Sequence, residues 1–194
     1  MAVFPSIGEQ PGLDDVYRRF PHTAGPLMEY HDRLLRDRSD LTIAQRELIA
    51  AYVSGINACG FCHGAHVIAA RNFGISPDLF EGLMADLATS GVEERMKPIL
   101  AYVGKLTRTP SMMAERDAQL VYQAGWSEEA LFTAISVCAL FNFMNRIVEG
   151  SGIKPGASES IDPVISAWLG GAGDDPFEGE GNYTRLLTTW EINA

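Results

Sequence analysis

Leu41-Thr42-Ile43-Ala44-Gln45-Arg46-Glu47-Leu48-Ile49-Ala50-Ala51-Tyr52-Val53-Ser54-Gly55-Ile56, followed by Asn57-Ala58-Cys59-Gly60-Phe61-Cys62-His63-Gly64-Ala65-His66, is the stretch whose reading decides the fold. The first part has the apolar spacing of a helix, and Thr42 with Gln45 three residues on forms a capping box at its start. Glu47 has Ile43, Ala44 and Ala51 as its nearest neighbours on one face, so its carboxylate is expected at least half buried against the core. On an unbroken helix Glu47 and Cys59 would stand about 18 Å apart, too far to cooperate. Gly55 and Asn57 supply a break. A turn there, with Asn57 capping the next helix, folds the Cys-bearing helix back beside the Glu-bearing one. It also places Cys59 in a first turn, where unpaired backbone amides favour thiolate.

On that second helix, at about 100° per residue, Cys59, Cys62, His63 and His66 fall within one arc of roughly 100°, with Phe61 opposite. Two sulfurs one turn apart can join as a disulfide where the helix start is slightly unwound, and His66 stands one turn beyond Cys62, in reach of its proton. The pattern is that of a redox dithiol with its own base. The helix start, taken alone, makes Cys59 the more acidic thiol. The alternative is a non-catalytic or metal-binding helical protein whose Cys/His cluster holds zinc. Zinc asks for four ligands in a closed tetrahedron, and adjacent Cys62 and His63 do not easily both turn inward with Cys59 and His66.

Outward from this stretch the chain keeps reading as helix. Helices are expected from Leu13 to Phe20, Pro26 to Arg36, along the Cys segment to Phe73 with Gly74 ending it, and from Ser76-Pro77 through Leu87. Further helices run from Val92 to Thr107, where Pro98 marks a kink or a later start, from Met113 to Ala124, and from Ser127 to Glu149. The last of these is apolar nearly all round and belongs at the centre or at a subunit interface; Asn142 and Asn145-Arg146 on it suit an interface hydrogen bond or a site-lining contact, the interface being the favoured reading. A short helix near Pro163 to Leu169, a Gly/Asp-rich linker from Gly170 to Gly181 and an apolar docking patch of Tyr183, Leu186, Leu187 and Trp190 complete the chain. No segment alternates with period 2, so the fold class is all-α, antiparallel helices with no sheet. The 194 residues suit a single domain: an extended arm over 1–12, a helical core over 13–150, and a C-terminal segment over 151–194.

A net charge of −10 with no Lys/Arg cluster argues against nucleic acid as a partner. No apolar run of membrane-spanning length and no N-terminal signal are read, so the expectation is a cytoplasmic protein with no membrane partner. Three cysteines are too few for a disulfide scaffold, which favours catalysis or metal binding for the C-x-x-C pair and leaves Cys138 over as a core residue.

Glu47, Cys59, Cys62 and His66 match the E-x11-C-x-x-C-x-x-x-H signature, and here the chain resembles the AhpD-like alkylhydroperoxidase family of the carboxymuconolactone decarboxylase superfamily, in its peroxidase-related branch. The resemblance implies an AhpD-like helical fold, a homo-oligomer and an oxidoreductase. The implied activity is that of a thiol peroxidase reducing hydroperoxides in antioxidant defence, with an external dithiol as reductant. No cofactor and no metal are expected. By position it makes Cys62 the peroxidatic thiol, Cys59 the resolving one, His66 the base and Glu47 the residue completing the proton relay. The superfamily's lactone-cleaving decarboxylases are a further alternative, set apart because that branch has no use for a Cys pair. Where the best-known members carry a His directly before the second Cys, this chain has Phe61. His63 follows Cys62 instead and is counted as a candidate assisting the thiols.

Overall fold

A computed structural model describes residues 2–76, 78–155 and 183–192, and among them there is helix and no strand. The helices are α1 (Leu13–Arg19), α2 (Ala24–Leu35), α3 (Ile43–Ile56), α4 (Gly60–Asn72), α5 (Asp78–Ala85), α6 (Lys97–Arg108), α7 (Glu115–Gln123), α8 (Glu128–Gly150) and α9 (Thr184–Thr189). The all-α expectation holds. Pro77, the helix expected near Pro163 to Leu169 and the linker from Gly170 to Gly181 lie outside the described residues.

Local chemistry sets most boundaries. The capping box at α3 forms, with Gln45 N–H donating to Thr42 Oγ1 at 3.2 Å and Thr42 N–H donating to Gln45 Oε1 at 2.9 Å. Ser127 Oγ accepts the Ala130 N–H at 3.0 Å and starts α8. Gly74, at φ +96°, follows the end of α4 in the left-handed region that a β-carbon disfavours. Of the two readings of Pro98, the later start is correct: α6 begins at Lys97 with the proline in its first turn, where its missing N–H is not needed.

The core lies where α3, α6 and α8 meet, with Ile49, Ala50, Val53, Leu100, Val103, Val137 and Phe141 almost fully buried. Each of the larger side chains stabilises the fold by about 1.5–3 kcal/mol. Helix α8 also touches α2, α4 and α7, as its all-round apolar surface requires. One expectation needs correcting: by length and composition α8 is apolar enough to cross a membrane, and half of that window is buried inside the fold.

The N-terminal arm, expected as an extended segment, lies on its own chain: Phe4 packs edge-on against Phe20 with ring centroids 5.2 Å apart. At the other end, Asp32 on α2 accepts the backbone N–H groups of Tyr183 at 2.7 Å and Thr184 at 2.9 Å. Tyr17 stacks on Trp190 at 6.2 Å, and Arg18 Nε donates to the Trp190 carbonyl. The expected docking patch therefore docks on α1 and α2. Hydrogen bonds to a charged group contribute about 1.5–3 kcal/mol. Asp32→Ala is thus expected to lower stability by about that much and to speed amide exchange at Tyr183 and Thr184 more than at α3. Unchanged exchange there would refute the clamp.

Candidate active site

The turn between α3 and α4 is built differently from the expectation, with the same result. Asn57 ends α3 rather than capping α4; Ala58 takes the left-handed conformation at φ +54°, and Cys59 is the residue that precedes α4. Gly55 serves close approach: a β-carbon there would stand 2.7 Å from Met84 Sδ and 3.1 Å from His63 Nδ1. The Asn57 side chain donates to Asn145 Oδ1 at 2.9 Å and to Asn142 Oδ1 at 3.2 Å, while Asn145 Nδ2 donates to Ser54 Oγ at 3.0 Å. This corrects the interface reading of Asn145, which is 2 % exposed and ties the turn to α8 inside the chain.

With α4 folded back antiparallel to α3, Glu47 and His66 meet. Glu47 is fully buried, more so than its helix pattern indicated, and its two oxygens are both used. Arg36 Nη1 donates to Oε1 at 2.6 Å and His66 Nδ1 donates to Oε2 at 2.6 Å. Burial would raise the carboxyl pKa, but the charges of Arg36 and His66 outweigh it and hold Glu47 down at about 2. Arg36 is itself buried, and its charge is kept by Glu47 against the cost of burial. Its Nε and Nη2 have no hydrogen-bond partner among the described residues; instead its Cζ lies 5.3 Å from the Phe73 ring centroid and 5.1 Å from that of Tyr183. An ionised carboxylate only accepts, so His66 carries its proton on Nδ1 and presents Nε2 as the basic nitrogen.

Cys59 and Cys62 are both buried free thiols. They are linked: the Cys62 thiol and amide stabilise a Cys59 thiolate and hold its pKa down, while the same hydrogen bond, followed by burial, pushes the Cys62 thiol up. Cys62 and His66 line one apolar cavity walled by Met28, Phe61, Phe141 and Met144 and closed by Tyr183, Leu186 and Trp190 of the C-terminal segment. Cys59 is 0 % exposed and packs behind, with Val16, Val148 and Ile153.

The model of the carboxymuconolactone decarboxylase family matches residues 21–98, a span that holds Glu47, Cys59, Cys62 and His66. Among solved structures, a peroxidase-related protein from Silicibacter sp. TM1040 superposes with a TM-score of 0.70 at 24% identity, over 77% of this chain and 78% of that one. An alkylhydroperoxidase AhpD core from Ralstonia eutropha JMP134, likewise described as a peroxidase-related protein, superposes with a TM-score of 0.70 at 21% identity over 76% of each chain. The chain has an AhpD-like helical fold. None of the curated proteins compared with it matches.

In this AhpD-like fold the helical arc drawn from the motif is rotated. Cys59 lies outside α4, so the cavity face is set by the helix proper: relative to Cys62, Phe61 stands at about −100°, Ala65 at −60°, Ala69 at −20° and His66 at +40°. All of these line the cavity. Phe61, expected on the far side, belongs to the site. His63, at about +100°, turns away: its Nδ1 meets the Ala51 carbonyl at 2.9 Å and its ring meets Phe80 edge-on. Cys138 is core, beside Thr107 Oγ1 and Asn142 Nδ2. Arg36 and His31 are additions that the sequence did not mark, and Asn145 and Tyr183, marked for an interface and for docking, also belong to the site. His31, on the amphipathic α2, is 3 % exposed and lines the cavity. As for zinc, no three His, Cys, Asp or Glu side chains converge among the described residues, and His66 Nδ1 is already committed to Glu47.

Proposed function

We propose that the chain is a thiol-dependent peroxidase that reduces hydroperoxides through the Cys59/Cys62 dithiol, with His66 and Glu47 as the proton relay. The observation that carries this reading is the cavity shared by Cys62 and His66, with His66 oriented by a buried, ionised Glu47. In the first step His66 Nε2 takes the Cys62 proton, and the thiolate attacks the terminal oxygen of the hydroperoxide. The O–O bond breaks, its electron pair leaves with the alkoxide, and His66 returns the proton to form the alcohol. Cys62 is now a sulfenic acid. Cys59 displaces its oxygen as water, and the two sulfurs form the disulfide, which an external dithiol reduces by exchange. No step calls for a metal or a cofactor. The reading includes a homo-oligomer and the reducing cytoplasm in which such a dithiol is regenerated.

A thiol count tests the reading. One equivalent of an organic hydroperoxide should remove two thiols together, joined as Cys59–Cys62 in peptide mapping, with Cys138 still open to alkylation after denaturation. Peroxide left unconsumed, or loss of Cys138 in place of the pair, overturns it.

A further inference from the structure

The cavity holds a second imidazole that the dithiol chemistry does not use. His31 stands on α2 with Nδ1 2.8 Å from the Leu27 carbonyl one turn back. Its ring is held between Tyr183, tilted at 4.9 Å, and Phe141, edge-on at 6.1 Å. His66 packs on the same Phe141 ring at 4.2 Å. Burial first, and then the nearby His66, offset only in part by the bond to Leu27, bring the His31 pKa down to about 4, so the ring is neutral at ordinary pH. A neutral imidazole facing a carbonyl through Nδ1 must carry its proton there, which leaves Nε2 as a lone-pair acceptor.

No described residue donates to Nε2, and the surrounding wall is largely apolar. Nε2 is not among the buried polar atoms left without a partner, so it opens onto the cavity that His31 lines, an acceptor for a ligand that brings a donor hydrogen into apolar surroundings. Resting on the peroxidase reading above, we propose that His31 Nε2 accepts the O–H of the bound hydroperoxide, making His31 a catalytic residue that sets the terminal oxygen before Cys62. A hydroperoxide has one O–H, on the oxygen that sulfur attacks. Holding that proton in place orients the O–O bond for displacement. The neutral His31 does not remove the proton, which stays on its oxygen and becomes the O–H of the Cys62 sulfenic acid. The electron pair still leaves with the alkoxide, and His66 protonates it.

The test compares two reactions of Cys62 in the full chain. Oxidation by cumene hydroperoxide uses the O–H, whereas alkylation by N-ethylmaleimide, which has no donor hydrogen, reports thiol access and ionisation alone. His31→Phe fills the space without an acceptor and should slow oxidation about tenfold, the effect of one well-placed hydrogen bond, with alkylation within about twofold of wild type. His31→Gln, which keeps an acceptor, should recover most of the oxidation rate, and His31→Leu gives a second acceptor-free chain should Phe not fit. Oxidation of the acceptor-free variants at the wild-type rate overturns the proposal. So does an equal fall in both reactions, which is the mark of a packing role. If wild type itself leaves the hydroperoxide untouched, the peroxidase reading falls first and this inference with it.

Discussion

Glu47→Gln is expected to destabilise the chain by about 3–5 kcal/mol, measured by urea unfolding at neutral pH. The carboxylate is fully buried and its two oxygens hold Arg36 and His66 at 2.6 Å each. The amide keeps the shape but presents one acceptor and one donor where two acceptors are needed. A guanidinium buried among Leu35, Phe73 and Tyr183 is then left without its counter-charge. That uncompensated charge, not the missing hydrogen bond, dominates the loss. A second substitution, Arg36→Met in the Glu47→Gln chain, should therefore recover a large part of the stability while leaving His66 without its orienting carboxylate. A single Glu47→Gln chain within about 0.5 kcal/mol of wild type would refute the buried triad.

The pH dependence gives the same magnitude by a separate route. The folded Glu47 carboxyl lies at about 2 against an ordinary value of 4.5. The folded value is the lower one, so the stabilisation is complete above the unfolded pKa and is lost as pH falls through the folded pKa, in a window from about pH 5 down to about pH 2. Its size is about 3 kcal/mol at 1.36 kcal/mol per unit. Glu47→Gln should flatten this acid limb in melting temperature against pH.

What the sequence made legible was local. The capping box, the C-x-x-C pair and the return of His66 to the Cys62 side depend on residues three or four apart, and helix geometry fixes their relation before any tertiary contact forms. Glu47 could be marked because a carboxylate on an apolar helix face is conspicuous. Its partner Arg36 could not, since three arginines near the end of α2 look alike and only packing against Phe73 and Tyr183 separates one of them. Tyr183 reaches Asp32 from 151 residues away and His31 meets it there, so no spacing announces either. Phe61 and His63 stand on other sides than the motif arc gives them, because that arc includes Cys59, which precedes α4 and does not share its phase. Ala58 gives no sequence signal of its left-handed turn, because that conformation is ordinarily announced by glycine or asparagine.

Cys62→Ser is expected to lower hydroperoxide turnover with an artificial dithiol by about a thousandfold or more, and Cys59→Ser to leave a single fast turnover that stops at a sulfenic acid. The electrostatics taken alone would pick the other nucleophile, because the resting pair places its first negative charge on Cys59. The proposed assignment rests on access: Cys59 has no exposed surface, whereas Cys62 opens on the cavity with His66. The hydrogen bond with Cys59, then burial and the Cys59 charge, keep the Cys62 thiol high, so the two ionisations belong to the pair. Removing the first sulfur removes that competition. In Cys59→Ser, Cys62 should ionise at lower pH than in the intact dithiol, and its first reaction with hydroperoxide should be at least as fast as in wild type. A Cys59→Ser chain that is inert on the first turnover, beside a Cys62→Ser chain that still forms a sulfenic acid trapped by dimedone, would reverse the two roles.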